Sequence, residues 1–232
     1  MLFYGFDTYY FILVLPAIIF AFFAQAKVQR TYAKYSKRIS TRNITGAEAA
    51  RTILDINGLS DISIEKIEGN LTDNYDPRKK VIHLSSGVYD SASVAAIGIA
   101  AHETGHAVQH SKRYFPLQIR NAIIPVTQIG STLAFPLILI GVIMNFRPLI
   151  YAAIVFFALA ALFQLITLPV EYNASNRAVE TLDKMNILND EELHSTKKVL
   201  NAAAWTYVAA LAVSLASLLR LLLLFGGGRR SD

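Results

Sequence analysis

The sequence predicts a mainly α-helical membrane protein, with four transmembrane helices and a smaller α+β region that contains a short sheet. Hydrophobic residues make up 53% of its 232 residues, which is high for a soluble protein. The excess is concentrated in four blocks, each close to the ~20 residues with which a helix crosses a bilayer. These blocks are residues 9–26, 121–144, 149–170 and 203–225.

The first block has two interpretations. Ala24-Gln25-Ala26 resembles a signal-peptidase site, but no Lys or Arg precedes the block and Asp7 stands there instead, which is atypical of a signal peptide. Basic residues follow directly, and positive charge after a first span holds that side in the cytoplasm. We therefore expect a retained anchor with its N-terminus outside. The basic residues are Lys27, Arg30, Lys34, Lys37 and Arg38.

The second and third blocks predict a transmembrane hairpin, because residues 145–148 are too few to form more than a turn between them. Both ends of the hairpin then lie on the same side as residues 27–120. Fourteen Lys or Arg residues lie in 27–120 and four in 171–200. The other segments outside the blocks contain only Arg147, Arg229 and Arg230. This asymmetry predicts that 27–120 and 171–200 are cytoplasmic and that both termini are outside.

The stretch between the first two blocks has the signals of short helices and strands. Residues 28–39 have the pattern of a basic amphipathic helix near the membrane surface, or of a merely solvated helix. Thr45 and Glu48 form a capping box that opens a helix ending near Asn57-Gly58. Strands are expected at 62–67 and 80–85, with a turn-rich segment at 70–77. We expect a small sheet packed on the next helix.

That next helix, expected from about Ser91 to Gln109 with Asp90 or Ser91 as its N-cap, contains His102-Glu103-Thr104-Gly105-His106. Residues four apart share a helix face, so both histidines can bind one zinc ion. Glu103 is placed to act as general base on a zinc-activated water and then as general acid. The alternative is a pair of core histidines. We favour the metal site, because residues 94–101 are apolar all round and unpartnered polar groups are costly in a buried helix.

The third zinc ligand is predicted to be Glu171. It follows the third block, so two crossings return it to the membrane face of His106, and it stands where a helix is expected to begin. The alternative is a carboxylate that only complements the helix dipole. His110 cannot readily share the zinc, because eight residues of helix place it about 12 Å along the axis from His102.

Two features of substrate handling stay open at this level. The strand at 80–85 is expected to pair with an extended peptide substrate, although it could be an ordinary internal strand. An oxyanion also needs a donor besides zinc, and the sequence does not choose among the candidates. These are Tyr75, His83, Tyr172, Arg177 and Tyr207.

Composition excludes several other classes of protein. The chain has no cysteine, which excludes disulfides, thiolate zinc sites and cysteine nucleophiles. The net charge is +5, but the basic residues lie beside hydrophobic blocks, a pattern of membrane topology rather than of nucleic-acid binding. A transporter should have buried charges or broken helices at mid-depth. Pro136 and Gln164 are only weak signals of these, and the blocks otherwise have the composition of lipid-facing or packing helices, so we do not favour a transporter.

Four segments closely resemble the YugP-like membrane zinc metallopeptidases: LTDNYDP at 71–77, KVIHLS at 80–85, AAHETGHAVQ at 100–109 and EYNASNRA at 171–178. The resemblance covers nearly the whole chain and implies a neutral zinc peptidase of the prokaryotic cell membrane. More distantly, the histidine helix and Glu171 resemble HtpX-type and CAAX prenyl protease gluzincins. Those have an Asp four residues after the ligand Glu, where this chain has Ser175. Ser175 can orient a histidine only through a weaker, neutral hydrogen bond, or another residue does so.

These observations predict a membrane-embedded metalloendopeptidase with a zincin-like catalytic domain and one zinc ion, held by His102, His106 and Glu171. It would cleave protein or peptide substrates, including membrane-associated ones, at the bilayer. The alternative is a non-catalytic membrane protein with a structural zinc, against which Glu103 argues. The expected segments are an anchor at 1–26, a cytoplasmic catalytic region at 27–120, a transmembrane hairpin at 121–170, a cytoplasmic helix at 171–200, and a transmembrane helix with a short tail at 201–232.

Overall fold

A computed structural model describes residues 7–226 and confirms the mainly α-helical membrane fold with a small sheet. Four helices in that range are long and apolar enough to cross a membrane: Tyr10–Tyr35, Phe115–Ile143, Arg147–Lys184 and Asp190–Phe225. The first six residues of the predicted anchor, the tail from Gly227 onward, and Arg229 and Arg230 lie outside the described residues.

The described chain forms two compact units. The span unit contains residues 7–24, 119–168 and 205–226, and the motif unit contains residues 25–118 and 169–204. A π-helical turn, Tyr10–Val14, precedes helix α1 (Leu15–Tyr35). The long helices after the motif are α5 (Phe115–Ile143), α6 (Arg147–Lys184) and α7 (Asp190–Phe225).

The motif unit contains the remaining elements. Helix α2 (Gly46–Ile56) begins with the predicted capping box of Thr45 and Glu48 and ends at Asn57. Strands β1 (Ser63–Ile67), β2 (Asn74–Asp76) and β3 (Val81–Ser85) form the sheet, and the short helix α3 (Ser86–Tyr89) leads to α4 (Val94–Ser111). The motif helix therefore starts three residues later than expected. Its N-cap is Ser93, whose Oγ accepts a hydrogen bond from the backbone N–H of Ala96 at 3.2 Å, so the expectation of Asp90 or Ser91 is wrong.

The sheet has the order β1-β3-β2, with β1 parallel and β2 antiparallel to β3. Strand β3 therefore pairs on both sides, and the expectation that it receives a substrate strand is wrong. The segment predicted as turn-rich contains strand β2. It was missed because three residues within a run of Asn, Asp and Pro are too few for a periodic pattern.

Helix α4 is the centre of the motif unit and is buried along most of its length. One apolar cluster contains Ile97 and Ala101 of α4 together with Ile53 of α2 and Leu182 of α6. A second cluster joins it to the sheet through Ala96, Ala100 and Ala107, which contact Ile82, Leu84 and neighbouring side chains. Burial on both sides accounts for a helix that is apolar all round.

Two predicted helix boundaries are absent. Helix α1 continues without a break to Tyr35, so residues 28–39 do not form a helix of their own; the sequence has no Gly or Pro there to end α1. Glu171 lies inside α6 rather than at a helix start, although Pro169 precedes it by two residues. The end of an apolar block is thus not the end of the helix, and the alternative of an N-terminal dipole charge for Glu171 is excluded.

In the span unit, Arg220 contacts Asp7. Nε and Nη2 of Arg220 lie 2.8 and 2.5 Å from Asp7 Oδ2, and the guanidinium lies 5.5 Å from the centre of the Tyr10 ring. Oδ1 of Asp7 accepts a hydrogen bond from the backbone N–H of Tyr10 at 2.9 Å. The ion pair therefore links the first and last long helices of the chain.

Candidate metal centre

The side chains of His102, His106 and Glu171 converge in the motif unit. Oε2 of Glu171 lies 3.2 Å from Nε2 of His102 and 3.5 Å from Nε2 of His106. The candidate ligand atoms all lie within 4.8 Å of one another. Glu171 is only 3% exposed. One turn of α4 thus presents two imidazoles to a single buried carboxylate on α6.

The donor set and its spacing fit a zinc ion. Zinc–ligand bonds of about 2.0–2.1 Å in a tetrahedral site place neighbouring ligand atoms roughly 3.3 Å apart. The two histidine–carboxylate separations, 3.2 and 3.5 Å, match that value. Two imidazoles and one carboxylate are also the protein ligands of one kind of catalytic zinc site, which keeps its fourth position open.

Both histidines are also held at their other ring nitrogen. Nδ1 of His102 lies 3.1 Å from Oγ of Ser175, and Nδ1 of His106 lies 3.0 Å from Oε1 of Gln109. Such partners fix the orientation of a ligand ring and leave Nε2 for the metal. The ring planes stand at 85° to each other, with centroids 4.7 Å apart.

Glu103 lies beside the histidine face of α4, three residues before His106. It is 8% exposed, and with 3.6 residues per turn it shares a face with Ala100 and Ala107. Those two alanines belong to the apolar cluster that contacts the sheet. Position 103 therefore lies between the sheet side of α4 and the face that presents the imidazoles.

Helices α4 and α6 approach closely at Gly105. A Cβ atom at this position would lie 2.7 Å from the carbonyl oxygen of Ala174 and 3.2 Å from its Cα. Backbone cannot move aside as a flexible side chain does, so a side chain at position 105 would separate the two helices. The glycine inside the motif is thus required by the approach that places Glu171 beside the histidines.

The sheet side of α4 has a second polar group, the pair Tyr75 and His110. The hydroxyl of Tyr75 on β2 lies 3.0 Å from Nδ1 of His110, and both border a cavity of about 160 Å³ together with Ala107. Burial, together with the nearby carboxylates of Asp61 and Asp76, raises the pKa of Tyr75 to about 12. The phenol is therefore neutral at physiological pH.

The other oxyanion candidates are placed differently. Ile82 and Leu84 face α4, so His83 between them faces the other side of the sheet, where Nδ1 lies 3.1 Å from Oδ1 of Asn74. Nε of Arg177 donates a hydrogen bond to Asn173 at 2.7 Å. Tyr172 is exposed, and Tyr207 belongs to the span unit.

Sequence reasoning missed Gln109 and Asn173. Nε2 of Gln109 donates hydrogen bonds to the carbonyl oxygen of Val170 at 2.8 Å and to Oδ1 of Asn173 at 2.9 Å. The available signal was a polar amide three residues after His106 on a helix expected to be buried. Such a side chain must find partners inside the protein.

Comparison with known proteins agrees with this geometry. Residues 10–226 match the family described as "Putative neutral zinc metallopeptidase". The chain belongs to this family. It is also 46% identical over 217 residues to the "Putative membrane protease YugP" of Bacillus subtilis (strain 168), covering 94% of this chain and 96% of that protein. No solved structure matches the chain. Membership confirms the resemblance to the YugP-like zinc metallopeptidases, and with the four apolar helices it identifies the chain as a membrane protein of a zinc peptidase family.

Proposed function

We propose that this family member is a membrane zinc endopeptidase that hydrolyses peptide bonds of protein substrates. The observation that carries the proposal is the convergence of ligand atoms of His102, His106 and Glu171 within 4.8 Å of one another, with Glu103 buried on the adjacent face of the same helix. A structural zinc site would have no use for a base beside the metal.

One zinc ion per chain would be held by His102, His106 and Glu171, whose donor types and spacing fit it. When bound, zinc supplies a Lewis acid that lowers the pKa of water to about 7 and polarises the carbonyl to be cleaved. Ser175 and Gln109, at 3.1 and 3.0 Å from the outer ring nitrogens, orient the two imidazoles for this ion.

Glu103 provides the proton transfers. Its carboxylate takes a proton from the attacking water and returns it to the leaving amine, which prevents expulsion of an unstable amide anion. Its position on the sheet side of α4, with Ala100 and Ala107, places it between the two histidines and the sheet. A scissile bond lying along the sheet edge would be presented to Glu103 from that side.

Strand β2 offers the edge for such a substrate. Within the described residues it pairs only with β3, and it packs against α4. An extended peptide can add to an edge strand through backbone hydrogen bonds. We therefore assign substrate pairing to β2 rather than to β3. Peptide substrates with single N-methylated amides test this: methylation at alternate positions should lower kcat/KM, and insensitivity at every position would exclude strand addition.

Membrane-associated proteins are the proposed substrates.

The proposed orientation has residues 27–120 and 171–200 on the cytoplasmic side and both termini outside. This orientation rests on the charge asymmetry of the sequence, in which basic residues are concentrated in those two regions. A reporter enzyme that works only in the cytoplasm should be inactive when it is fused after Asp232, and activity there would overturn the proposed orientation. The same reporter fused after Ser111 is the matched control and should be active.

The enzymatic proposal is tested on the purified full-length protein by zinc content and hydrolysis of casein-type substrates. We expect about one zinc per chain and cleavage in wild type. Glu103→Gln should keep the zinc and lose at least about 100-fold in rate, because a general base contributes about 10²–10⁴-fold. Glu171→Ala should lose the zinc. Glu180→Gln, which removes an exposed charge on the same helix as Glu171, should change neither the zinc content nor the rate of cleavage.

Two results would contradict the proposal. If wild type binds zinc and Glu103→Gln changes nothing on any substrate cleaved, Glu103 is not the base. If wild type binds zinc but cleaves no substrate tried, the zinc is structural and the enzymatic assignment is withdrawn.

A further inference from the structure

Gln109 is a fully buried polar side chain, 0% exposed, one turn after His106 on α4. Within the described residues, its side chain forms hydrogen bonds with groups of α4 and α6. Oε1 lies 3.0 Å from Nδ1 of His106, and Nε2 lies 2.8 Å from the carbonyl oxygen of Val170 and 2.9 Å from Oδ1 of Asn173. A buried amide with this many partners has one orientation that satisfies them all.

That orientation follows from groups whose roles are fixed. The Val170 carbonyl can only accept, so the amide nitrogen of Gln109 must face it. The contact with Asn173 requires the same orientation of Gln109. Oδ1 of Asn173 also accepts a hydrogen bond from Nε of Arg177 at 2.7 Å, and because an arginine can only donate, this atom is an acceptor. The oxygen of Gln109 must therefore face His106.

An oxygen facing Nδ1 of His106 requires a proton on that nitrogen. A neutral imidazole has one proton, so Nε2, the nitrogen that faces Glu171 at 3.5 Å, is left with its lone pair exposed for a metal. Without Gln109, the Glu171 carboxylate would draw the proton to Nε2 and block the lone pair.

His102 is not constrained in the same way. Its Nδ1 partner is the hydroxyl of Ser175 at 3.1 Å, and a hydroxyl can rotate either to donate or to accept. The two histidines of the motif therefore differ: the protonation of one ring is imposed by its surroundings, and that of the other is free to adjust.

We infer that Gln109 is a positioning residue that fixes His106 as the Nδ1-protonated tautomer and so prepares the site for its metal, with Asn173 and Arg177 holding the Gln109 amide in place. The inference rests on the proposed metal site. It adds Gln109 to the machinery as a group that touches neither the metal nor the substrate.

The first test reads the tautomer in metal-free, full-length protein by nitrogen-15 NMR of labelled histidine, at an alkaline pH where imidazoles are neutral. The signals of His106 are identified by their loss in His106→Ala. Wild type should have the proton on Nδ1 of His106, and in Gln109→Met it should move to Nε2. A wild-type His106 protonated on Nε2 would overturn the inference without any variant.

The second test is zinc affinity by competition with a chelator. Gln109→Met keeps the shape but removes the acceptor and should weaken zinc binding about 10- to 100-fold, the usual effect of losing such a partner. Gln109→Glu keeps an acceptor oxygen toward His106 and should stay closer to wild type, although it loses the donor to Val170. Gln118→Met, at an exposed position of the same unit, should leave the affinity unchanged.

The order of the two variants separates positioning from packing. A merely structural role predicts that the buried methionine is tolerated and the glutamate is worse, because a carboxylate would face the Val170 carbonyl. That order of zinc affinities would overturn the inference. Failure of the proposed function has a different signature: a wild type that binds no zinc, yet has His106 protonated on Nδ1 and loses that state in Gln109→Met, refutes the metal site and keeps the role of Gln109.

Discussion

Oγ of Ser175 lies 3.1 Å from Nδ1 of His102, at the opposite side of the ring from the nitrogen that faces Glu171. Ser175 and Glu171 are four residues apart on α6, so one face of that helix contacts both nitrogens of the same imidazole. A hydroxyl is a weak, neutral partner in a position where a carboxylate would make the ring a stronger metal ligand.

We therefore predict that Ser175→Asp tightens zinc binding, by up to about 10-fold, and that Ser175→Ala weakens it by a similar factor. The negative charge makes His102 more basic, whereas alanine leaves the ring without its partner. Chelator competition on purified protein measures both. Asn176→Asp adds the same charge at an exposed neighbouring position and should have little effect. Equal effects of the two aspartates would mean that general electrostatics, not the hydrogen bond, sets the affinity.

Gly105→Ala is predicted to destabilise the protein by about 1–3 kcal/mol and to weaken zinc binding as well. The new Cβ would meet the backbone of Ala174 at 2.7 Å, so α6 must move away from α4, and Glu171 moves with it. Thermal unfolding and zinc competition measure the two effects. Gly98→Ala is the control, since the atoms nearest to its Cβ would belong to the side chain of Thr196 rather than to backbone. It should cost some stability while leaving zinc affinity near wild type, and a loss of affinity as large as that of Gly105→Ala would contradict the explanation.

Asp73 and Asp76, three residues apart, are predicted to affect stability with opposite dependence on pH. Burial raises the pKa of Asp73 above its ordinary 3.8, although its carboxylate accepts hydrogen bonds from Ser85. The hydrogen bond from the backbone N–H of Arg78 lowers the pKa of Asp76 below 3.8. The stability contribution of Asp73 is thus complete below pH 3.8 and is lost as pH rises through its folded pKa; that of Asp76 is present above pH 3.8 and is lost as pH falls.

The measurement is the melting temperature of Asp73→Asn and Asp76→Asn relative to wild type between about pH 3 and pH 7, on both sides of the ordinary carboxyl pKa. The melting temperature of Asp73→Asn should increase relative to that of wild type as the pH rises, because the substitution removes a buried charge. The melting temperature of Asp76→Asn should decrease relative to that of wild type over the same range. Parallel curves for the two variants would mean that the local contacts of these carboxylates do not determine their protonation.

Hydropathy was sufficient to predict the four long helices, the spacing of Thr45 and Glu48 to predict the capping box, and the number of membrane crossings to predict the closeness of Glu171 to the two histidines. Each depends on a local pattern or on a count of crossings that the chain itself contains. Strand β2 could not be predicted, because three residues have no period and this strand exists only through its pairing with β3. The role of Gln109 depends on partners in α6, more than sixty residues away, and only tertiary structure brings those groups together.

The Arg220–Asp7 pair yields the last prediction, in the span unit. Both side chains are largely covered, with 17% and 19% exposed, and removing one partner of such a pair leaves an uncompensated charge. Asp7→Asn, which keeps the oxygen that accepts from Tyr10, and Arg220→Met should each destabilise the protein. The double variant should be more stable than the sum of the two effects predicts, with an interaction free energy of about 1–3 kcal/mol.

Reversible unfolding of purified protein in mixed detergent micelles measures that cycle. The control cycle combines Asp7→Asn with Arg30→Met, an exposed basic residue of the first long helix, and should be additive. Additivity in both cycles would mean that Arg220 is stabilised by its contact with the Tyr10 ring, 5.5 Å from the guanidinium, rather than by the carboxylate. Tyr10→Leu would then reproduce the loss seen in Arg220→Met, whereas an ion pair that dominates predicts only a small effect of that substitution.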